Sequence, residues 1–219
     1  MRPGEIEVRP AGTDDAAACA SLHADGLSDG FFVELGPAFL RAYHRAFVSS
    51  PEAVTFVAVV RGQVVGAIMG VLRPQAHMRW MLQRRGVTLA AIALLSMPIH
   101  PRATWRFVRS RVGRYIAGWR RHRAGAANSG PTGDGRAVLS HVVVSEGARG
   151  AGLGERLVAT FLREARRAGA EQFTLTTLEG AAGASAFYER LGWGRAGSRS
   201  NADGTSMVVF HMDASTDSA

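Results

Sequence analysis

Arg149-Gly150-Ala151-Gly152-Leu153-Gly154 joins a β-branched strand pattern to an amphipathic helix, and the chain is best read outward from it. Upstream, Val138-Leu139-Ser140-His141-Val142-Val143-Val144 has the composition of a strand bounded by polar residues. Downstream, Leu157, Val158, Phe161 and Leu162 recur at helical spacing, which predicts a helix opening at about Gly152. Three glycines within five residues keep the connecting turn free of side chains, with Arg149 ahead of them. Such a turn exposes backbone N–H groups at a helix N-terminus, where aligned peptide dipoles favour an anion. Several nucleotide folds use a turn of this kind, so by itself it marks an anion site and no particular ligand.

Around this centre the pattern alternates between strands and helices. Ile6-Glu7-Val8-Arg9 alternates as a short strand, and Thr13-Asp14-Asp15 reads as a helix start with Thr13 as the N-cap. Residues 36–49 carry Phe39, Leu40, Tyr43 and Phe47 at helical spacing. Residues 54–60 and 64–72 read as strands joined by the hairpin signal Arg61-Gly62-Gln63. Beyond the glycine turn, residues 173–178 predict a strand, and residues 184–191 predict a short helix stopped by Gly192. A last strand at 208–212 closes the sheet, and 213–219 is a polar tail.

The chain of 219 residues suits one domain, 1–219, with room for a large insertion. An apolar fraction of 47% is that of a globular protein and argues against overall disorder. All 26 basic residues are arginine, and their distribution matters more than their number. Residues 53–133 hold 13 arginines and no Asp or Glu, so this segment carries the whole net positive charge. The single cysteine, Cys19, lies among alanines with no activating neighbour, which predicts a buried structural role. The seven histidines include no ligand pair at metal spacing, so no metal is expected. The N-terminus lacks the apolar core of a signal peptide, and a cytoplasmic protein is expected.

Residues 73–135 interrupt the strand pattern as a basic helical insertion. Two helices are predicted, at 73–85 and 101–123, separated by an apolar-rich run at 87–99 and by Pro98 and Pro101. That run falls short of the roughly 18–20 residues a bilayer span needs. In the second helix Trp105, Val108, Val112, Ile116 and Trp119 form a stripe, with Arg106, Arg109, Arg114 and Arg120 off it. Residues 124–135 have the composition of a loop. The favoured expectation packs the stripe on the domain or on a second copy in a homodimer, with the arginines in water. Contact with a membrane surface through 87–119 is a less favoured alternative, and recognition of an acidic acceptor is a third. Nucleic acid is not expected, because no base-reading motif accompanies the charge.

Taken in order, the glycine turn, its helix, the strand at 173–178 and Ala184-Ser185-Ala186-Phe187-Tyr188-Glu189-Arg190-Leu191-Gly192-Trp193 resemble the GNAT acetyltransferase superfamily. Arg149-x-x-Gly152-x-Gly154 matches the superfamily's loop for the pyrophosphate of acetyl-CoA, and Ala184-x-x-Phe187-Tyr188-x-x-x-Gly192-Trp193 matches its second signature. The resemblance spans about residues 5–72 and 136–212 and implies a mixed, largely antiparallel α/β sheet of about seven strands flanked by helices. There are two departures: Ala181 stands where the second signature usually has Asn, and Glu146 where a proline often precedes the loop. Neither removes the backbone cradle.

The resemblance implies a cofactor site formed by Val142, Val143, Val144, Arg149, Gly150, Ala151, Gly152, Leu153, Gly154 and Glu155, with acetyl-CoA as the cosubstrate. It places the thioester beside the end of the strand, where the N–H of Val144 is expected to face the oxyanion. It also gives Tyr188 the role of general acid toward the CoA sulfur, against the plainer alternative of a packing tyrosine. For the base, His141 has suitable chemistry, and Glu34, expected in the loop between the first two helices, is an alternative contact to the acceptor. Water-mediated deprotonation needs neither residue. Strict alternation puts His141 opposite Ser140, Val142 and Val144, unless a bulge changes the parity. The implied reaction moves acetyl to a primary amine by direct attack, with a small-molecule acceptor expected. Acetylation of a protein N-terminus or lysine, or a non-catalytic acyl-CoA sensor, are the rival readings.

Overall fold

The computed structural model describes residues 6–27, 31–96, 135–180, 184–200 and 204–216. In chain order the described elements are β1 (Ile6–Pro10), α1 (Ala16–Gly26), α2 (Phe31–Glu34), α3 (Pro37–Val48), β2 (Ala53–Val60), β3 (Gln63–Val71), α4 (Pro74–Ser96), β4 (Arg136–Val144), α5 (Leu153–Arg167), β5 (Gln172–Leu178), α6 (Ser185–Arg190), β6 (Gly194–Ser200) and β7 (Ser206–Asp213). The strands form one sheet in the order β1-β2-β3-β4-β5-β7-β6. Every pairing is antiparallel except that of β4 with β5. The architecture is therefore the mixed α/β sheet of seven strands that the family resemblance implies.

Helices cover both faces. On one, α5 buries Leu157, Val158, Phe161 and Leu162, the stripe predicted from its spacing, together with Leu153 and Ala165. Leu157 is fully buried, so truncating it to alanine should cost about 2–5 kcal/mol. Phe161 lies so close to β3 that a Cβ at Gly70 would collide with its ring, which explains a glycine near the end of the strand. On the other face Cys19 and Leu22 of α1 pack with Val57, Val59, Ala67 and Val143. Phe47 of α3 packs with Met69 and Val71. Cys19 is fully buried, and burial pushes its thiol up to about 11, so it stays protonated and inert at neutral pH.

Several elements differ from the sequence expectation. The strand at 206–213 does not close the sheet; β6 pairs outside it. All seven residues of β6 are exposed and none of its side chains is large and apolar, so no hydrophobic alternation announces it. Thr13 is not the cap of the first helix. It opens a 3-10 turn, Thr13–Asp15, capped by Gly12. Asp15 accepts from the Gly12 N–H at 2.8 Å and from the Arg9 guanidinium at 2.7 and 2.9 Å. Glu34 ends the short helix α2 and does not sit in a loop.

The largest difference is α4, which runs unbroken through Arg85 and the apolar run to Ser96. Gly86 lowers helix propensity but does not stop the helix, because Leu89, Ala90, Ala91, Ala93, Leu94 and Leu95 beyond it are good helix formers. The helix is anchored near its start by His77. That ring lies 4.7 Å from the Phe47 ring, and its Nδ1 is 2.8 Å from Ser50 Oγ. The second predicted helix, 101–123, and most of the following loop lie outside the described residues.

Candidate functional site

The site begins where the sheet parts. The parallel ladder between β4 and β5 pairs Arg136–Leu139 with Gln172–Leu175 and ends at Leu139 opposite Leu175. From Ser140 to Val144 the β5-facing edge of β4 lies outside that ladder, while its other edge stays paired with β3 as far as Val144 opposite Gly66. The Ser145 N–H donates to Val65 O at 2.8 Å, which makes Gly66 and Val144 a non-hydrogen-bonded pair of the antiparallel ladder. By alternation the N–H groups of Val144 and Val142 point away from β3, into the gap beside β5. Two backbone donors aimed into a cleft can stabilise a developing oxyanion.

A bulge sets the side chains of this edge. The β3–β4 register shifts between Met69 and Gly70, pairing them with His141 and Leu139 and leaving Ser140 as the extra residue. Val142 and Val144 pack against the α5 cluster, whereas Val143 joins the α1 cluster. His141 reaches the side covered by α1 and α3, opposite Val142 and Val144 as alternation predicts. The bulge puts it on the same face as Val138, which a regular strand would not do.

The glycine turn lies directly beyond β4. A 3-10 turn, Glu146–Ala148, leads into Arg149, whose Nε donates to Val144 O at 3.2 Å and ties the loop back to the strand end. Gly150 has φ 78° and Gly152 has φ 72°, left-handed conformations that cost a glycine nothing. Arg149, Gly150, Ala151 and Gly152 are exposed. A Cβ at Gly150 or Gly152 would meet no atom within 4 Å, so space for a ligand lies over the turn. Gly152 caps α5, and the first helical bond runs from the Arg156 N–H to Gly152 O at 3.1 Å. The N–H groups of Leu153, Gly154 and Glu155 therefore lack intrahelical partners and can hold an anion. The Glu155 side chain is exposed, so this residue can contribute only its backbone without opposing the ligand's charge. Gly154 fits against Phe187 of α6, where a Cβ would lie 3.2 Å from the ring, so the turn and the second signature are in contact.

Tyr188, next to Phe187, belongs to the same packed cluster as Leu153, Val142 and Val144. Its ring meets Phe187 at 5.1 Å, Phe210 at 6.0 Å and Trp193 at 6.1 Å between centroids. Burial pushes its phenol up to about 12. A phenol held there stays protonated at neutral pH, and it favours hydrogen-bond donation over complete proton transfer to a thiolate.

On the opposite face His141 is not alone, and here the sequence reading missed three residues. His23 of α1 and His44 of α3 are buried with their Nδ1 and Nε2 atoms 3.1 Å apart. The His23 and His141 rings lie 4.6 Å apart, and Tyr43 OH is 3.4 Å from His141 Nε2. Phe32 of α2 stacks on Tyr43 at 4.5 Å, which links the helix that carries Glu34 to this group. Burial lowers His23 to about 4. Burial and the neighbouring imidazoles lower His44 and His141 to about 3, and burial raises the Tyr43 phenol. At neutral pH the group is an uncharged cluster. A base whose conjugate acid lies near 3 is too weak to hold a proton taken from an ammonium near 10. Among the described residues, no group of three or more His, Cys, Asp or Glu side chains is arranged to hold a metal ion.

The family model described as the acetyltransferase (GNAT) family matches residues 94–193, which take in β4, the glycine turn and α6. A GNAT-family acetyltransferase from Desulfovibrio desulfuricans is similar in structure at 12% identity and TM-score 0.58, over 95% of this chain and 99% of that one. The ribosomal-protein-alanine N-acetyltransferase of Brucella melitensis is similar at 15% identity and TM-score 0.58, over 94% and 99% of the two chains. A Salmonella typhimurium acetyltransferase, solved with its cofactor acetyl-CoA, is similar at 13% identity and TM-score 0.57, over 98% and 97%. At these identities the likeness is one of fold. A comparison with curated protein sequences finds no match.

Proposed function

We propose that this chain, whose residues 94–193 match the GNAT acetyltransferase family model, belongs to that family and transfers acetyl from acetyl-CoA to a primary amine by direct attack in a ternary complex. The observation that carries this reading is the unpaired edge of β4, with the N–H groups of Val142 and Val144 turned into the gap, opening onto the glycine turn. In this proposal the N–H groups along 150–155 and the Arg149 guanidinium hold the pyrophosphate. The thioester carbonyl lies along β4, with the Val144 N–H on its oxygen.

The neutral amine attacks the carbonyl carbon, the C–N bond forms and the C–S bond breaks. The thiolate leaves against the Tyr188 hydroxyl, which donates a hydrogen bond, and it is finally protonated by solvent. Because burial holds His141 near 3, we assign the ammonium proton to water and give His141 a positioning role beside the acceptor. Glu34, on the helix that stacks on Tyr43, stays a candidate contact to the acceptor. The products are the amide, CoA thiol and one proton. We assign the chemistry to a single domain with 73–135 inserted in it, in the cytoplasm, where acetyl-CoA is at hand.

A small amine is the favoured acceptor. A protein N-terminus is the second reading, prompted by the acceptor named for the Brucella protein. Screening amines and N-terminal peptides for CoA release, with mass detection of the product, separates them. An added acetyl mass on an amine supports the proposal. Acetyl-CoA binding without CoA release across the panel would make the chain an acyl-CoA sensor instead.

A further inference from the structure

Helix α4 presents a surface that acyl transfer does not use. Among the described residues, every exposed large hydrophobic side chain lies on it: Met78, Leu82, Val87, Leu94 and Leu95. Val87 is 85% exposed, and His77 is the helix's one buried residue. Scattered exposed apolar residues are ordinary, but a set confined to one helix marks an interaction surface.

The exposed residues do not form a single stripe. At about 100° per residue, Leu82, Val87 and Leu95 are spread about 80–140° apart around the helix axis. Val87, Leu94 and Leu95, toward the C-terminal end of the helix, fall within about 100° of one another, the one side that a helix lying in a bilayer surface buries. The polar groups point the same way. Arg79, Arg84 and Arg85 are exposed, and the helix contains no acid. The Arg85 guanidinium lies 5.9 Å over the Trp80 ring, pairing a cation with the aromatic type that favours the headgroup layer. Across 53–133 the chain has 13 arginines and no Asp or Glu, so two copies meeting here would repel, while an anionic surface would attract.

We propose that α4 seats this protein on an anionic lipid bilayer. Its arginine-bearing N-terminal half lies among the headgroups, and residues 87–96 enter the outer acyl layer. The helix rests on the surface and does not span it, since no described helix is long and apolar enough to cross a membrane.

The test is co-sedimentation of the full chain with vesicles of phosphatidylcholine alone and of phosphatidylcholine doped with phosphatidylglycerol. The proposal expects binding to the doped vesicles, little to the neutral ones, and release by salt. Arg84→Gln with Arg85→Gln should weaken partitioning by about fivefold per arginine. Leu94→Ser with Leu95→Ser should abolish it while acetyl-CoA binding persists as the check on folding. Wild-type protein left in the supernatant with both vesicle types overturns the proposal, as does undiminished binding by both double variants. A concentration-dependent dimer in lipid-free buffer, dissolved by Leu94→Ser with Leu95→Ser, would overturn it in favour of an interface between copies.

Discussion

The two faces of β4 carry different kinds of machinery. Toward α5 and α6 the strand meets backbone donors, a glycine turn and a phenol set in an aromatic cluster. Toward α1 and α3 its own His141 joins two further uncharged imidazoles, His23 and His44, and a half-buried tyrosine, Tyr43. The first face can stabilise negative charge, on a pyrophosphate, an oxyanion or a departing sulfur. The second holds titratable groups in their neutral forms and so suits a neutral nucleophile better than a charged one. In the proposed function one strand thus separates the handling of the donor from that of the acceptor, and the bulge at Ser140 sets the phase of residues 141–144 against that of 136–139.

Breaking the first face should have the larger effect. Tyr188→Phe keeps the aromatic packing and removes the donor, so turnover should fall by about 100-fold with acetyl-CoA affinity unchanged. Single-turnover rates beside a binding titration measure both, and an unchanged rate would reduce Tyr188 to packing.

Acid should break the second face. His23, His44 and His141 are held near 4, 3 and 3 in the fold against about 6.5 unfolded. Between those values the unfolded chain binds more protons, so stability falls as pH drops below about 6.5. Each histidine held neutral should cost on the order of 2 kcal/mol by pH 5. Asp15, held low by Arg9, adds its own loss only below about pH 4, outside that window. Thermal unfolding followed from pH 7 to 5 should show Tm dropping, and a flat profile would mean the cluster is solvated.

The smallest effect concerns His141 alone. If water takes the ammonium proton, His141→Asn should change kcat/KM by less than about tenfold and leave the pH profile in place. A loss above about 100-fold with an altered profile would restore His141 as the base.

The same division explains what could be read from the sequence. The donor face is built from local patterns: glycines at fixed spacing, a helical stripe, a short second signature. Each of these survives as a string. The acceptor face is assembled from positions 23, 43–44 and 141, and no local periodicity joins them. The bulge that orients His141 leaves no mark, because Ser140 is unremarkable in a strand. Strand β6 was invisible because none of its residues is buried. Helix α4 was cut short at Arg85 because its composition changes there from basic to apolar, although its backbone does not change. Glu34 looked like a loop residue because one turn of helix is too short to carry a period.

The central claim is that the turn at 149–154 holds the pyrophosphate of acetyl-CoA, and calorimetric titration of acetyl-CoA into wild type and Gly152→Asp tests it most directly. Gly152 is exposed, a side chain there meets no atom within 4 Å, and aspartate tolerates the left-handed backbone better than most residues. The variant should therefore fold, while its carboxylate occupies the space of an anion. The account predicts binding by wild type and a loss of at least about tenfold in Gly152→Asp. A folded Gly152→Asp protein that binds acetyl-CoA as tightly as wild type would contradict it.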